Sequence, residues 1–237
     1  MQICEIKNIY KEQINALNHF LDECIELLPN KDLSLLRFGG GTALAIYYFQ
    51  HRKSYDVDIF TTDPQVLDCI RPRFWLEESR YFKSDDYIED LNHHVRFMTK
   101  DNIKVDILVA QDFISKPLVD TSKELFKYNI YIESIEDILA KKIVHRGSQN
   151  KSRDIADIAV AIHNDKNILD KLLKQEAINE NDIKTIYKAL KTFDMSKYRR
   201  DIEYIQPAKE YENTIINAKE LIVKSCDNIF SVLKIQT

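Results

Sequence analysis

The chain has 237 residues, 44% of them hydrophobic and 30% charged, with a net charge of −4. That is the balance of a globular protein of one large or two small domains, and the net negative charge argues against binding nucleic acid with its whole surface, though not in a local basic groove. No apolar run reaches the roughly 18–20 residues of a membrane span, the first ten residues lack a signal-peptide pattern, and Cys4, Cys24, Cys69 and Cys226 form no CxxC pair, so free thiols in a reducing cytoplasm are expected rather than a structural zinc or disulfides.

In chain order, apolar residues from Ile6 to Leu28 recur at spacings of three and four, which predicts an amphipathic helix over 5–28 ended by Pro29 and Asn30. Leu33 to Phe38 reads as a short strand opening on Gly39-Gly40-Gly41, and Thr42 to Gln50 as a helix starting at that turn. Tyr55 to Phe60 alternates as a strand, with a helix expected over about 64–80. Residues 93–99 and 103–110 flank Asp101-Asn102 as a hairpin, and 128–132 reads as a last short strand. From Ser134 the pattern is helical, over about 134–146, 151–164, 166–177, 181–191 and 207–233, with Gly147 placed as a stop. This predicts an α/β half over 1–133 and a helical half over 134–237.

The chain has only four glycines, and three stand together at 39–41. Glycine lets a backbone approach a phosphate closely. Asp56 and Asp58 follow, two positions apart on a strand, so they share a face with Cα atoms roughly 6.5 Å apart, a spacing that suits one or two Mg²⁺ ions. Asp106, in the apolar run Ile103 to Val109, is a third carboxylate whose desolvation calls for a partner or a metal. The competing explanations are a solvated strand face for Asp56 and Asp58, a bare structural turn for the glycines and a buried ion pair for Asp106. No GxxxxGK[ST] is present, so the turn is not a P-loop; the Thr42 hydroxyl and the helix start after it offer a phosphate site of another kind.

Phe38-Gly39-Gly40-Gly41-Thr42-Ala43-Leu44, followed by Arg52-Lys53-Ser54-Tyr55-Asp56-Val57-Asp58, resembles the nucleotidyltransferase signature, and within it the AbiEii/AbiGii toxin family. The resemblance implies an α+β fold, with a nucleotidyltransferase-like mixed sheet flanked by helices and followed by a helical C-terminal half. It implies Asp56, Asp58 and Asp106 as metal ligands for Mg²⁺ or Mn²⁺, and Gly40, Gly41 and Thr42 at the nucleotide phosphates. It also implies Ser54 near the site as a modification target. Thirteen residues separate Thr42 from Asp56, at the long end for such proteins.

The helical half carries a second cluster. At about 100° per residue, Lys142 falls inside the apolar arc of Ile135, Ile138, Leu139 and Ile143, and Lys141 falls outside it. On the next helix Asp154 lies within the apolar arc and Asp157 at its edge. An inward lysine and an inward aspartate must find partners: either each other, tying two helices, or a nucleotide triphosphate reached by Lys142 and oriented by Asp154 or Asp157. Leu139-Ala140-Lys141-Lys142 and Arg153 to Asp157 resemble the same toxin family, which favours the second reading.

The function expected is transfer of a nucleoside monophosphate from an NTP to a hydroxyl, with release of pyrophosphate. By resemblance the acceptor is RNA and the protein is a cytoplasmic bacterial toxin with a cognate antitoxin and no membrane association. A small-molecule acceptor and a non-catalytic binding module of the same fold are the competing readings. The basic clusters Arg71/Arg73 and Lys197/Arg199/Arg200 are the first candidates for RNA phosphate contacts.

Overall fold

In a computed structural model the chain is described over residues 2–84, 89–114, 116–149 and 151–233. It divides into two compact units. The first comprises 1–47, 54–112 and 116–134; the second comprises 48–53, 113–115 and 135–237.

The first unit opens with α1 (Ile3–Ile9) and α2 (Lys11–Cys24), separated at Tyr10 where one helix was expected. Then come β1 (Arg37–Gly39), α3 (Gly40–Ala43), β2 (Val57–Thr61), α4 (Pro64–Cys69), β3 (Glu89–Leu91), β4 (His94–Met98), β5 (Lys104–Val109), β6 (Leu118–Asp120) and β7 (Ile130–Ile132). Among the described residues the strands form one mixed seven-stranded sheet in the order β3-β4-β5-β2-β1-β7-β6, which is the expected fold class. β2 runs parallel to β5 and antiparallel to β1; β4 and β5 form the expected hairpin.

One face of the sheet is core. Val57 and Ile59 of β2, Val95 and Phe97 of β4, and Val105 and Ile107 of β5 are all buried. Phe97 packs edge-on against Phe82 and Trp75, with Phe20 of α2 beside them. The residues between them on each strand therefore share the opposite face, and that face carries the acids.

Three expectations need correcting here. The strand expected over Leu33 to Phe38 begins only at Arg37, after a 3₁₀ turn at Leu33–Leu35. The helix expected over 64–80 ends at Cys69 and gives way to short 3₁₀ turns at Pro72–Phe74 and Leu76–Glu78, because Pro72 has no N–H for a helical bond and restrains Arg71 before it. The helix expected over Thr42–Gln50 is a single α turn from Gly40 that widens into a π turn over Leu44–Tyr48.

In the second unit the helices are α5 (Ile135–Arg146), α6 (Ser152–Asn164), α7 (Ile168–Lys174), α8 (Glu180–Lys191), α9 (Met195–Ile205), α10 (Glu212–Ile216) and α11 (Ala218–Leu233). α6 is buried along most of its length, with α8, α9, α10 and α11 contributing Ile186, Tyr198, Ile215 and Ile222 to the same core. α9 was not expected. It is capped by Asp194, whose side chain accepts from the Ser196 and Lys197 amides. The segment 48–53 is held in this unit by backbone: Lys53 N–H donates to the Ile205 carbonyl and Ala208 N–H to the His51 carbonyl. Among the described residues no helix is long and apolar enough to cross a membrane.

Candidate functional site: an acidic sheet face and a buried ion cluster

Strand register assembles the first group. Asp58 stands in register with Gly39 of β1 on one side and with Asp106 of β5 on the other. Asp56 lies two residues before Asp58 and so shares its face. On β4, Arg96 pairs in register with Asp106, and His94 is two residues away on the same face. Lys104 shares the face of Asp106 on β5. The polar face of β4, β5 and β2 thus holds three carboxylates, two permanent cations and a histidine.

These groups are tied together. Asp106 accepts from Arg96 Nε at 2.6 Å and bonds His94 Nε2 at 2.7 Å. Lys104 Nζ stands 3.0 Å from Asp56 Oδ2 and 3.5 Å from Asp106 Oδ2. Burial alone would raise the Asp106 carboxyl, but the bonds from Arg96 and His94 and the Lys104 charge outweigh it and hold the group below the usual carboxylate range.

The glycine turn fits against this face. Gly40 has φ +67°, and a Cβ there would lie 2.0 Å from Asp58 Oδ2. Its bare backbone thus makes room for an acid of the DxD pair. A Cβ on Gly39 would lie 2.2 Å from Glu133 Oε2, which brings a further buried carboxylate beside the turn. Thr42 and Ser54 are both buried. The Thr42 hydroxyl donates to the Asp56 carbonyl, and since it has one proton, Ser54 Oγ at 2.8 Å is the donor of the bond between the two hydroxyls. Thr42 therefore fixes the turn to the start of the DxD strand, and Ser54 lies inside the unit.

Carboxylate oxygens on adjacent strands are the donor set of a hard divalent cation, and the face already draws a cation, the Lys104 ammonium, to Asp56 and Asp106. The donor chemistry therefore fits a metal. Among the described residues, however, no three His, Cys, Asp or Glu side chains stand together as a metal-holding group. Asp106 is turned toward His94, Arg96 and Lys104.

The second group lies wholly in the second unit. Lys142 of α5 is buried, as expected, and its Nζ contacts Asp154 Oδ1 at 2.5 Å and Asp157 Oδ2 at 2.9 Å. Arg52 reaches Asp157 bidentately, Nε to Oδ1 at 2.6 Å and Nη2 to Oδ2 at 2.9 Å. His51 Nε2 lies 2.7 Å from Asp157 Oδ1. Because a carboxylate only accepts, this nitrogen carries the proton. Asp157 thus receives four bonds at its roughly four lone-pair sites. Burial opposes its charge, but Arg52 and Lys142, with the His51 bond, hold its carboxyl well below the usual range. Burial, with the Arg52 and Lys142 charges, lowers the His51 imidazole and outweighs the opposing pull of Asp157. Lys141, expected to face outward, is also buried.

Lys142, Asp154 and Asp157 are therefore brought together, whereas Asp56, Asp58 and Asp106 share one sheet face without closing into a three-carboxylate group. His51, His94, Arg96, Lys104 and Glu133 were not anticipated, and Arg52, quoted in the motif before the DxD, was not assigned to Asp157. The hairpin register around Asp101-Asn102 could have placed Arg96 opposite Asp106; no local signal links Arg52 to Asp157.

Residues 29–218 match the family model described as nucleotidyl transferase AbiEii toxin, type IV toxin–antitoxin system. The chain belongs to this family. Among solved structures it is similar to MenT4, a nucleotidyltransferase toxin from Mycobacterium tuberculosis H37Rv, at 12% identity and a TM-score of 0.47 over 94% of this chain and 99% of that one. It is also similar to JHP933 from Helicobacter pylori, at 19% identity and a TM-score of 0.42 over 93% and 97%. No curated protein matches the chain.

Proposed function

We propose that this AbiEii-family chain transfers a nucleoside monophosphate from an NTP to a hydroxyl of RNA, as the toxin partner of a cognate antitoxin. The observation that carries the reading is the register of Asp58 with Asp106 on parallel strands, with Asp56 on the same face and the Gly40 backbone against Asp58. A divalent ion, Mg²⁺ or Mn²⁺, would be held by Asp56, Asp58 and Asp106 and would neutralise charge on the attacking hydroxyl and the departing pyrophosphate.

The chain's own residues hold and orient. Gly40 and Gly41 offer backbone at the start of α3 for the nucleotide phosphates, and Thr42 anchors that turn to the Asp56 carbonyl. Ser54 supports Thr42. In the second unit, Lys142, Asp154 and Asp157, with Arg52 holding Asp157, form a buried ion cluster that is proposed to support the reaction. The RNA acceptor is supported by membership of a toxin family and by Lys197, Arg199 and Arg200, exposed on α9 and suited to phosphate contacts. Arg71, by contrast, is buried and paired with Asp68.

The test incubates the protein with each α-labelled NTP, Mg²⁺ and total RNA. Label entering RNA with wild type and absent with Asp56→Ala supports the proposal. Label entering only small molecules, or none entering RNA with a folded protein that binds NTP, overturns the RNA acceptor.

A further inference from the structure

We infer that Lys104 is a tethered cation that competes with the catalytic metal for Asp56 and Asp106, and so sets the affinity of the site for divalent ions. This rests on the proposed reaction, since it deepens the role of the same acids.

Lys104 opens β5 two residues before Asp106, so the two side chains share a face. β2 and β5 run in register from Val57 with Val105 onward, which places Lys104 beside Asp56 one step earlier. Its Nζ lies 3.0 Å from one carboxylate and 3.5 Å from the other. The side chain is only 28% exposed, and the Asp106 carboxylate it touches only 6%. Three carboxylates on one sheet face repel one another when no cation is present, and a lysine on the same face relieves that without a metal. A metal taking Asp56 Oδ2 and Asp106 Oδ2 then competes with the ammonium for those two oxygens. Arg96 and His94 hold the same Asp106 carboxylate from the β4 side. Lys104 reaches both the acid that precedes β2 and the acid of β5.

The experiment is a Mn²⁺ titration of the purified full chain, read by electron paramagnetic resonance of the free ion. Wild type is compared with Lys104→Met, which keeps the apolar stem, with Lys104→Arg, which keeps the charge, and with Lys123→Met. Lys123 is an exposed lysine of the first unit bonded to Asn129 and controls for net charge. Lys104→Met is expected to bind Mn²⁺ about tenfold more tightly, the scale of removing one unit charge next to the site. Lys104→Arg and Lys123→Met are expected to stay within about twofold of wild type. Equal or weaker Mn²⁺ affinity in Lys104→Met, with wild-type binding still abolished by Asp58→Asn, overturns the lysine's role and leaves the acids as metal ligands. Absence of Mn²⁺ binding in every folded variant overturns both. Should Lys104→Met fail to fold, Lys104→Gln is read the same way, and equal tightening in Lys123→Met refutes a local competition.

Discussion

Arg52 and Asp157 form a buried bidentate ion pair, with N–O distances of 2.6 and 2.9 Å, that joins residues 105 positions apart in the chain. Arg52 comes four residues before Asp56, and Asp157 belongs to the second sequence cluster. The pair therefore fixes the segment 48–53 within the helical unit, together with the His51 and Lys53 backbone bonds.

Removing one partner leaves the other charge buried. Arg52→Ala is expected to destabilise the helical unit by about 3–5 kcal/mol. Arg52→Lys is expected to recover only part of this, because an ammonium cannot make the two-pronged contact. Urea unfolding followed by far-ultraviolet circular dichroism is the suitable measurement, since the sole tryptophan, Trp75, reports on the first unit. An Arg52→Ala midpoint equal to wild type would contradict this account of the pair.

Gly40 and Gly39 should differ in their sensitivity. Gly40→Ala puts a methyl 2.0 Å from Asp58 Oδ2 at a φ of +67°, a backbone region costing a non-glycine residue about 1 kcal/mol or more. It displaces an acid of the DxD pair, so transfer activity is expected to fall at least about 100-fold, the scale of misplacing a reacting group by an ångström. Gly39→Ala meets the end of the Glu133 side chain at 2.2 Å and the Phe60 ring at 2.8 Å, and displaces neither acid of the DxD pair. Its activity loss is expected to be smaller. Parallel kinetics on the two variants check the order.

Stability should fall on acidification in two stages. His51 is held neutral by burial, so its folded value lies below its unfolded one of about 6.5. The unfolded chain then takes up a proton first, and stability is lost as pH drops below about 6.5. Asp106 and Asp157 are also depressed in the folded state. Their contribution is present above the unfolded value of about 3.9 and is lost as pH falls through their lower folded values. Urea midpoints between about pH 8 and 4 should decline less steeply in the upper part of this range for His51→Gln than for wild type. Identical slopes would show that His51 is not the group responsible.

Thr42→Val strands the Asp56 carbonyl and the Ser54 hydroxyl in the interior. A cost of about 1–3 kcal/mol is expected, read as a shift in the tryptophan-monitored unfolding transition. Ser54→Ala removes one hydroxyl and leaves the Thr42 bond to Asp56 in place, so its cost should be smaller.

The sheet was legible because its strands carry strong local patterns. Val57 and Ile59 alternate with Asp56 and Asp58, and Asp101-Asn102 marks the β4–β5 turn. β6 escaped notice because only Leu118 and Val119 are apolar there, on a sheet edge that needs little burial. α9 was obscured by Lys197, Arg199 and Arg200, although Tyr198 and Ile205 face inward and Asp194 caps it. The acids themselves could be picked out by residue type and position. The pairing of Lys142 with Asp154 was within reach of helix periodicity, but Lys104 with Asp56 and Arg52 with Asp157 are set by strand order and helix packing, which leave no periodic trace in the chain.

The central claim is that Asp58 and Asp106 act together on an NTP. Its most direct measurement is single-turnover transfer from α-labelled NTP to RNA by wild type, Asp58→Asn and Asp106→Asn, each verified as folded. The account predicts metal-dependent labelling by wild type and a loss of about 1,000-fold or more in each variant, the scale of removing a group that stabilises charge in the transition state. Labelling by either variant at the wild-type rate would contradict it.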